Sequence, residues 1–298
     1  LLYFTQFAYA EYNVYISERN GSGVKYNLNG DFLSSIPRNT DGLASNSKTL
    51  FMTSYEYDTI HWFDISENKL LSITPSGGNL KEPIGIAYGP DGNLYVGNTW
   101  YNNILRYNAS SGEYVDIFAF GDGLLDAYGM TFGPDGMLYV SNTFNFSSIL
   151  RYDIYTGDME VFVPDGLMMT YGLTFGPDDN LYVSGFSQNN ILRFNGSSGD
   201  FMDIFVANGS GGLMDPTGLK FGPDGNLYVC SRGYYNEGKV LKYNGQTGDF
   251  IGEFTSQGQP TDILFTTTPI PEPSAVNLFC YSLVLVSLFK KFFWRCLS

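Results

Sequence analysis

Gly133-Pro134-Asp135-Gly136-Met137-Leu138-Tyr139-Val140 decides the reading of this chain, because close copies of it return at residues 89–96, 176–183 and 222–229. The tyrosines Tyr95, Tyr139, Tyr182 and Tyr228 are spaced 44, 43 and 46 residues apart. A fixed period of that length is the mark of a repeat architecture. Within the unit, Pro suits the first central position of a type I turn, Asp the second, and Gly the left-handed exit. The turn therefore joins two strands: one over Tyr128-Gly129-Met130-Thr131-Phe132, the next over Leu138-Tyr139-Val140. The latter is apolar on both faces, as in a sheet packed on both sides. A third strand follows at Ile149-Leu150-Arg151-Tyr152, and a Thr156-Gly157-Asp158 turn leads to an outer fourth.

Two degenerate copies precede the four clear ones. Val14-Tyr15-Ile16 with Val24-Lys25-Tyr26 is one, and Leu50-Phe51-Met52 with Ile60-His61-Trp62-Phe63 is the other. Six repeats of about 45 residues and four strands each predict an all-β, six-bladed β-propeller over residues 11–268. The first repeat begins at its second strand and lacks an innermost one. Thr261-Asp262-Ile263-Leu264-Phe265 aligns with residues 128–132, so this C-terminal strand is expected to complete the first blade and remove the free edges.

Composition agrees. The 298 residues are 43% hydrophobic and 17% aromatic, with 35 Gly, 23 Tyr and 24 Phe, which favours short strands and tight turns. Sixteen basic against 30 acidic residues give a formal charge of −14, which repels phosphate backbones and argues against a nucleic-acid partner. One His and three Cys exclude a His-rich metal centre and a disulfide framework.

Two rings of side chains are expected around the central opening. At the ends of the second strands stand Glu18, Ser54, Asn98, Asn142, Gly185 and Ser231. At the starts of the first strands stand Asp41, Ile84, Tyr128, Tyr171, Thr217 and Thr261. Glu18, Asp41, Asn98, Tyr128, Asn142 and Tyr171 make the candidate ligand-binding set. Amides and carboxylates suit sugar hydroxyls, and aromatic faces suit sugar C–H groups. The alternative is that these residues only solvate a water-filled channel. No catalytic residue is assigned: His61 aligns with Leu105 and Leu150 in the third strand, and Cys230 aligns with Ser141 and Ser184 inside the repeat. The four Asn-x-Ser motifs at Asn20, Asn108, Asn195 and Asn208 read as turns.

The repeats resemble the NHL and gluconolactonase-like propellers. Gly85-Ile86-Ala87, Asp91-Gly92-Asn93-Leu94-Tyr95-Val96 and Asn103-Ile104-Leu105 follow the NHL order of a Gly-hydrophobic start, an Asp-Gly turn and an aliphatic third strand. The resemblance is specific for fold; the fold hosts many activities. Gluconolactonase-like relatives hold a central divalent ion with a Glu, an Asn and an Asp. That resemblance implies, as the alternative to a binding module, a calcium-dependent lactonase whose metal ligands come from Glu18, Asn98 and Asn142, Glu18 plus either Asn making part of the set. A third ligand from the later blades is missing, and Asp41 or Asp262 would have to substitute.

The ends differ from the repeats. Leu1–Ala10 is apolar and closes on Ala8-Tyr9-Ala10, an A-x-A pattern read as the remnant of a secretory signal, with a first strand as the alternative. Residues 275–289 are nearly all apolar and are followed by Lys290, Lys291 and Arg295. With Phe292-Phe293-Trp294 they make a marginal membrane-spanning helix; a buried C-terminal helix is the alternative. Pro271-Glu272-Pro273, the apolar run and the basic cluster together resemble the PEP-CTERM sorting signal of Gram-negative bacteria. That resemblance implies an exported protein of the cell envelope or matrix, processed by an exosortase-type enzyme, transiently anchored in the membrane by residues 269–298, and serving a glycan or matrix partner.

Overall fold

In the four clear repeats the turn and the second strand hold one another. Tyr139 donates its hydroxyl to Asp135 Oδ2 at 2.9 Å, and Tyr95–Asp91, Tyr182–Asp178 and Tyr228–Asp224 repeat the bond at 2.9–3.0 Å. The turn glycine carries the positive φ that the exit requires, as at Gly136 (φ 79°). The third strand adds a cation to the same corner: Arg151 reaches Asp135 at 3.4 Å, and Lys242 reaches Asp224 at 2.7 Å. The Gly-Pro-Asp-Gly aspartates are thus structural anchors. The Asn-x-Ser motifs at Asn108 and Asn195 are Asx turns, their side-chain oxygens accepting the N–H groups of Ser110 and Ser197 at 2.9 Å.

In the computed structural model, residues 12–267 are described apart from 20, 74–76, 144–146, 235, 236 and 257. They form six four-stranded antiparallel sheets, the blades of a propeller. In blade four the strands are Ala127–Phe132, Leu138–Asn142, Ser147–Tyr152 and Met159–Leu167, from inside outward. Blade two contains Thr49–Ser54 and Thr59–Asp64, which carry the second degenerate copy. In the first blade the innermost strand is Pro260–Thr267, paired antiparallel with Tyr12–Glu18. The residues 1–10 and 268–298, with the expected C-terminal helix and Pro271-Glu272-Pro273, lie outside the described residues.

Between blades the packing is aromatic. Tyr139 sits edge-on to Phe162 of its own blade at 5.0 Å and to Phe175 of the next at 4.8 Å. Tyr95, Tyr182 and Tyr228 repeat both contacts with Phe118 and Phe132, Phe205 and Phe221, and Phe254 and Phe265. All four rings are essentially fully buried. This explains the abundance of Tyr and Phe: four of the six blade interfaces are each stitched by one edge-to-face trio, and Phe51 stacks on Tyr88 between blades two and three.

Hydrogen bonds across the interfaces position the inner strands. Thr53 donates to the Ile84 carbonyl at 2.6 Å, Ser141 to Tyr171 at 2.6 Å, and Ser17 to Asp41 at 2.7 Å. Loop side chains do the same nearer the surface: Asp58, Asn102 and Asn189 accept the N–H groups of Glu82, Asp126 and Asp215 at 2.7, 3.1 and 2.8 Å. Those three acceptors' partners each have a positive φ, the bend that delivers the chain into its inner strand.

Candidate binding site at the channel mouth

The six inner strands line a central channel in layers. Asp41, Ile84, Tyr128, Tyr171, Thr217 and Thr261 all face it at the mouth. One residue deeper, the inner strands carry Gly42, Gly85, Gly129, Gly172 and Gly218. A Cβ at Gly42, Gly85, Gly129 or Gly172 would run into the next strand's carbonyl oxygen, of Ile84, Tyr128, Tyr171 and Thr217 respectively. In the sixth strand the equivalent residue is Asp262. Below it lies an apolar ring of Leu43, Ile86, Met130, Leu173, Leu219 and Ile263. The resulting cavity is narrow, ≈ 80 Å³. A single water needs about 10–15 Å³ on this measure, so there is room for several waters or one end of a ligand, and for no whole oligosaccharide.

The second expected ring is corrected by one residue. Glu18, Asn98 and Asn142 are cross-strand partners of Pro260, Pro83 and Ala127, each of which precedes a channel-facing residue. Facing partners in a ladder share a side of the sheet, so these three point away from the opening. Asn98 accepts the Lys81 N–H at 2.6 Å and donates to Asn103 at 2.8 Å. Asn142 accepts the Leu125 N–H at 2.5 Å and donates to the Gly123 carbonyl at 2.9 Å. Both tie down the loop that enters the next inner strand. Glu18 tucks its carboxylate under Gly21 and Gly258, with Oε1 buried and unpartnered. Of the candidate set, the structure brings Asp41, Tyr128 and Tyr171 together and leaves Glu18, Asn98 and Asn142 outside the lining.

The residues that do face inward are the next ones along. Arg19, Tyr55 and Arg232 line the channel, and Phe186, at the same repeat position, packs against the channel-lining Tyr171 and Arg232. The aromatic rings form an arc: Tyr128 meets Tyr171 edge-on at 4.6 Å, and Tyr171 lies against Phe186 at 4.4 Å. The Arg232 guanidinium covers Phe186 at 4.7 Å, and that of Arg19 covers Tyr55 at 5.5 Å. A second groove of ≈ 550 Å³ shares Tyr55 and Tyr128 with the channel and continues over Trp100, Asn102, Glu82 and Asp126.

Charge at the mouth is mixed. Burial pushes the Asp41 carboxyl up to about 6, against the opposing pull of the Tyr55 N–H, bonded at 2.8 Å, and the field of Arg19. Asp262 is likewise pushed up to about 6 by burial; N–H bonds from Leu43 and Ile263, both 2.9 Å, and the nearby Lys220 pull the other way. Burial lowers the Lys220 ammonium. Tyr128 and Tyr171 are raised by burial, so both hydroxyls stay protonated and can donate.

Calcium does not fit the set that the gluconolactonase resemblance implies. The Asn98 and Asn142 side-chain oxygens are already accepting backbone N–H groups, and neither faces Glu18 across the channel. Among the described residues no group of three or more His, Cys, Asp or Glu side chains converges. His61 is buried in Thr59–Asp64, its Nε2 3.3 Å from Thr59 Oγ1, and burial lowers it to about 4. Cys230 is fully buried and its thiol is driven well up.

No protein-family model and no curated protein matches the chain. Solved structures do. A chain of a nidogen/laminin complex superposes with a TM-score of 0.74 at 16% identity, over 87% of this chain and all of that one. A Bacteroides caccae protein of unknown function gives 0.67 at 13%, over 87% of this chain and 99% of that one. Virginiamycin B lyase from Staphylococcus aureus gives 0.56 at 18%, over 78% of this chain and 71% of its own. What is shared is the propeller. The neighbours differ in function, so the site must be read from its own residues.

Proposed function

We propose that this protein is a non-catalytic binding module that takes one end of a carbohydrate at the mouth of the central channel. The observation that carries the reading is the Tyr128–Tyr171–Phe186 arc beside Asp41 and Thr261 at the rim of a narrow apolar-floored cavity. Aromatic faces meet sugar C–H groups, and hydroxyls and a carboxylate meet sugar O–H groups. The pairing of Pro260–Thr267 with Tyr12–Glu18 supports a ring closed by its C-terminal strand, which would hold the six inner strands at a fixed diameter. A glycan array probed with the full chain, wild type and Tyr171→Ala, tests the reading. Binding lost in the variant supports it, and an array without signal refutes it.

The setting we propose is the cell envelope or extracellular matrix. Its support is the order of Pro271-Glu272-Pro273, apolar run and basic cluster, and the A-x-A pattern near the start. In this reading an exosortase-type enzyme processes the tail, which anchors the chain in the membrane beforehand. Cell fractionation of wild type and a Pro271→Ala, Glu272→Ala variant tests it: retention of the unprocessed variant in the membrane is expected. The calcium-dependent lactonase is the reading this one displaces, because Asn98 and Asn142 spend their side-chain oxygens on backbone N–H groups. About one calcium per chain surviving dialysis, and lost in Glu18→Gln, would overturn that judgement.

A further inference from the structure

The two arginines at the channel mouth have no carboxylate partner. Three arginines of the third strands are matched closely: Arg106 pairs with Asp116, Arg151 with Glu160 and Arg193 with Asp203, while Arg38 on the outer strand Phe32–Asn39 is exposed. Among the described residues, no Asp or Glu side chain comes within ion-pair distance of Arg19 or Arg232. Acidic residues outnumber basic ones nearly two to one, and Asp41 lines the same cavity within the field of Arg19, yet neither guanidinium forms an ion pair, which calls for an explanation. Each sits over an aromatic ring, a contact that holds the cation without using its N–H donors. The fields of both reach the Tyr171 hydroxyl, so they act on the same point of the channel.

The adjoining groove has the opposite character. Glu82 and Asp126 line it, the Asp126 carboxyl being raised first by burial and then by the Glu82 charge, and Trp100 lies open at 62% exposure. Such a surface suits neutral sugar rings, stacked on indole with their hydroxyls donating to carboxylates. It repels further anionic groups. Cavity, cations and groove thus prescribe a ligand with one negative charge at its end and a neutral body behind it.

We propose that the channel mouth recognises a saccharide chain terminated by a single uronate, its carboxylate held by Arg19 and Arg232 and its next neutral units lying over Trp100. This rests on the saccharide reading of the site given above and goes further by assigning the end group.

Isothermal titration of the full chain with four probes tests it: cellobiose capped by one glucuronate, cellotriose, tri-galacturonate, and an acetylated tripeptide with a free carboxylate. The expected result is an affinity for the capped sugar about tenfold or more above cellotriose, as one charge-assisted contact supplies. Tri-galacturonate should bind more weakly than the capped sugar. Arg19→Gln and Arg232→Gln should each collapse the preference over cellotriose to about threefold or less. Arg19→Lys and Arg232→Lys keep a charge and should retain part of it; they also serve if a Gln variant melts early. Equal binding of capped sugar and cellotriose, lost in Tyr171→Ala, would overturn the uronate assignment and leave the saccharide reading standing. Tighter binding of tri-galacturonate would overturn the single-charge claim. Arginine-dependent binding of the tripeptide alone, or no binding of any probe, would overturn both.

Discussion

Asp262 Oδ2 accepts the backbone N–H of Leu43 at 2.9 Å, linking the last inner strand to the inner strand of blade two. Asp262 stands where the five other inner strands carry glycine, so a carboxylate occupies the one gap in the glycine layer. Its Oδ1 accepts the Ile263 N–H as well, so both carboxylate oxygens are engaged by the backbone. The unfolded chain releases this proton near the ordinary Asp value of about 3.9, whereas the folded chain holds it up to about 6. The stability linked to this proton is therefore complete below pH 4 and is lost as pH rises through 6.

Asp262→Asn should reveal that loss. The amide NH2 would face one of two backbone donors, a penalty that does not vary with pH. Relative to wild type, however, the variant should gain about 2–3 kcal/mol between pH 4 and pH 7.5. Denaturant melts at several pH values measure it. His61, lowered to about 4, acts in the opposite sense between pH 4 and 6.5 in both proteins and cancels in the difference. A flat difference curve would mean that Asp262 titrates normally.

Two glycines of one blade should respond very differently to alanine. At Gly129 a Cβ would collide with the Tyr171 backbone oxygen, so the inner strands must part; Gly129→Ala should cost about 3 kcal/mol. At Gly136 nothing lies within 4 Å of the added atom, and only the φ of 79° is unfavourable, so Gly136→Ala should cost about 1 kcal/mol. Equal losses would show that inner-strand contact does not set the glycine requirement.

The sequence made the blades legible because their signals are local. The turn chemistry of Pro134-Asp135-Gly136 and the tyrosine four residues after each Asp recur at fixed spacing, and the bond between Tyr139 and Asp135 is the physical reason that they recur together. The first-strand ring was legible for the same reason: Tyr128 and Tyr171 lie one residue before a glycine whose role the repeat exposes. The second ring was missed by one position. In a strand that slip moves every side chain to the other face, and the bulge between Ala127 and Met130 shifts the register where the two strands meet. Arg19, Tyr55 and Arg232 could have been found by counting alternation outward from the buried second-strand tyrosines. Lys220 could have been found as the charged residue where Ala44, Ala87, Thr131, Thr174 and Leu264 occupy the other inner strands. Asn98 and Asn142 look like ligands in sequence because loop-tying amides and ligand-binding amides are the same residue type, separated only by where the side chain points.

Removing one turn tether should destabilise the fold modestly and locally. Tyr139→Phe deletes a hydroxyl bonded to a carboxylate that is partly exposed and also met by Arg151, so the loss should be about 1 kcal/mol. That corresponds to a fall of about 2–4 °C in Tm for a domain of this size. The edge-to-face contacts with Phe162 and Phe175 remain in place. Tyr139→Ala removes those too and should cost about 3–5 kcal/mol. Calorimetry on the two variants separates tether from packing, and a Phe variant as damaged as the Ala variant would assign the larger role to the hydroxyl.

Cys230 should be inert in the folded protein. It is fully buried on Leu227–Ser231, and its thiol is driven well above the ordinary value by burial and the Asp262 charge. Only the thiolate reacts, so both access and ionisation oppose modification. Cys280 and Cys296 lie outside the described residues, so the comparison is made on a Cys280→Ser, Cys296→Ser background. Labelling by an aromatic disulfide reagent at pH 8 should then be negligible until denaturant unfolds the chain, and should follow the loss of tyrosine near-ultraviolet dichroism. Rapid labelling in the absence of denaturant would show that the sixth blade opens on its own. Since Cys230 sits beside Val240 and under the strand that pairs with Tyr12–Glu18, such opening would also loosen the seam at Asp262. The same measurement therefore reads the strength of that seam: substitutions that weaken the Leu43–Asp262 bond should raise the labelling rate before they lower the global melting point.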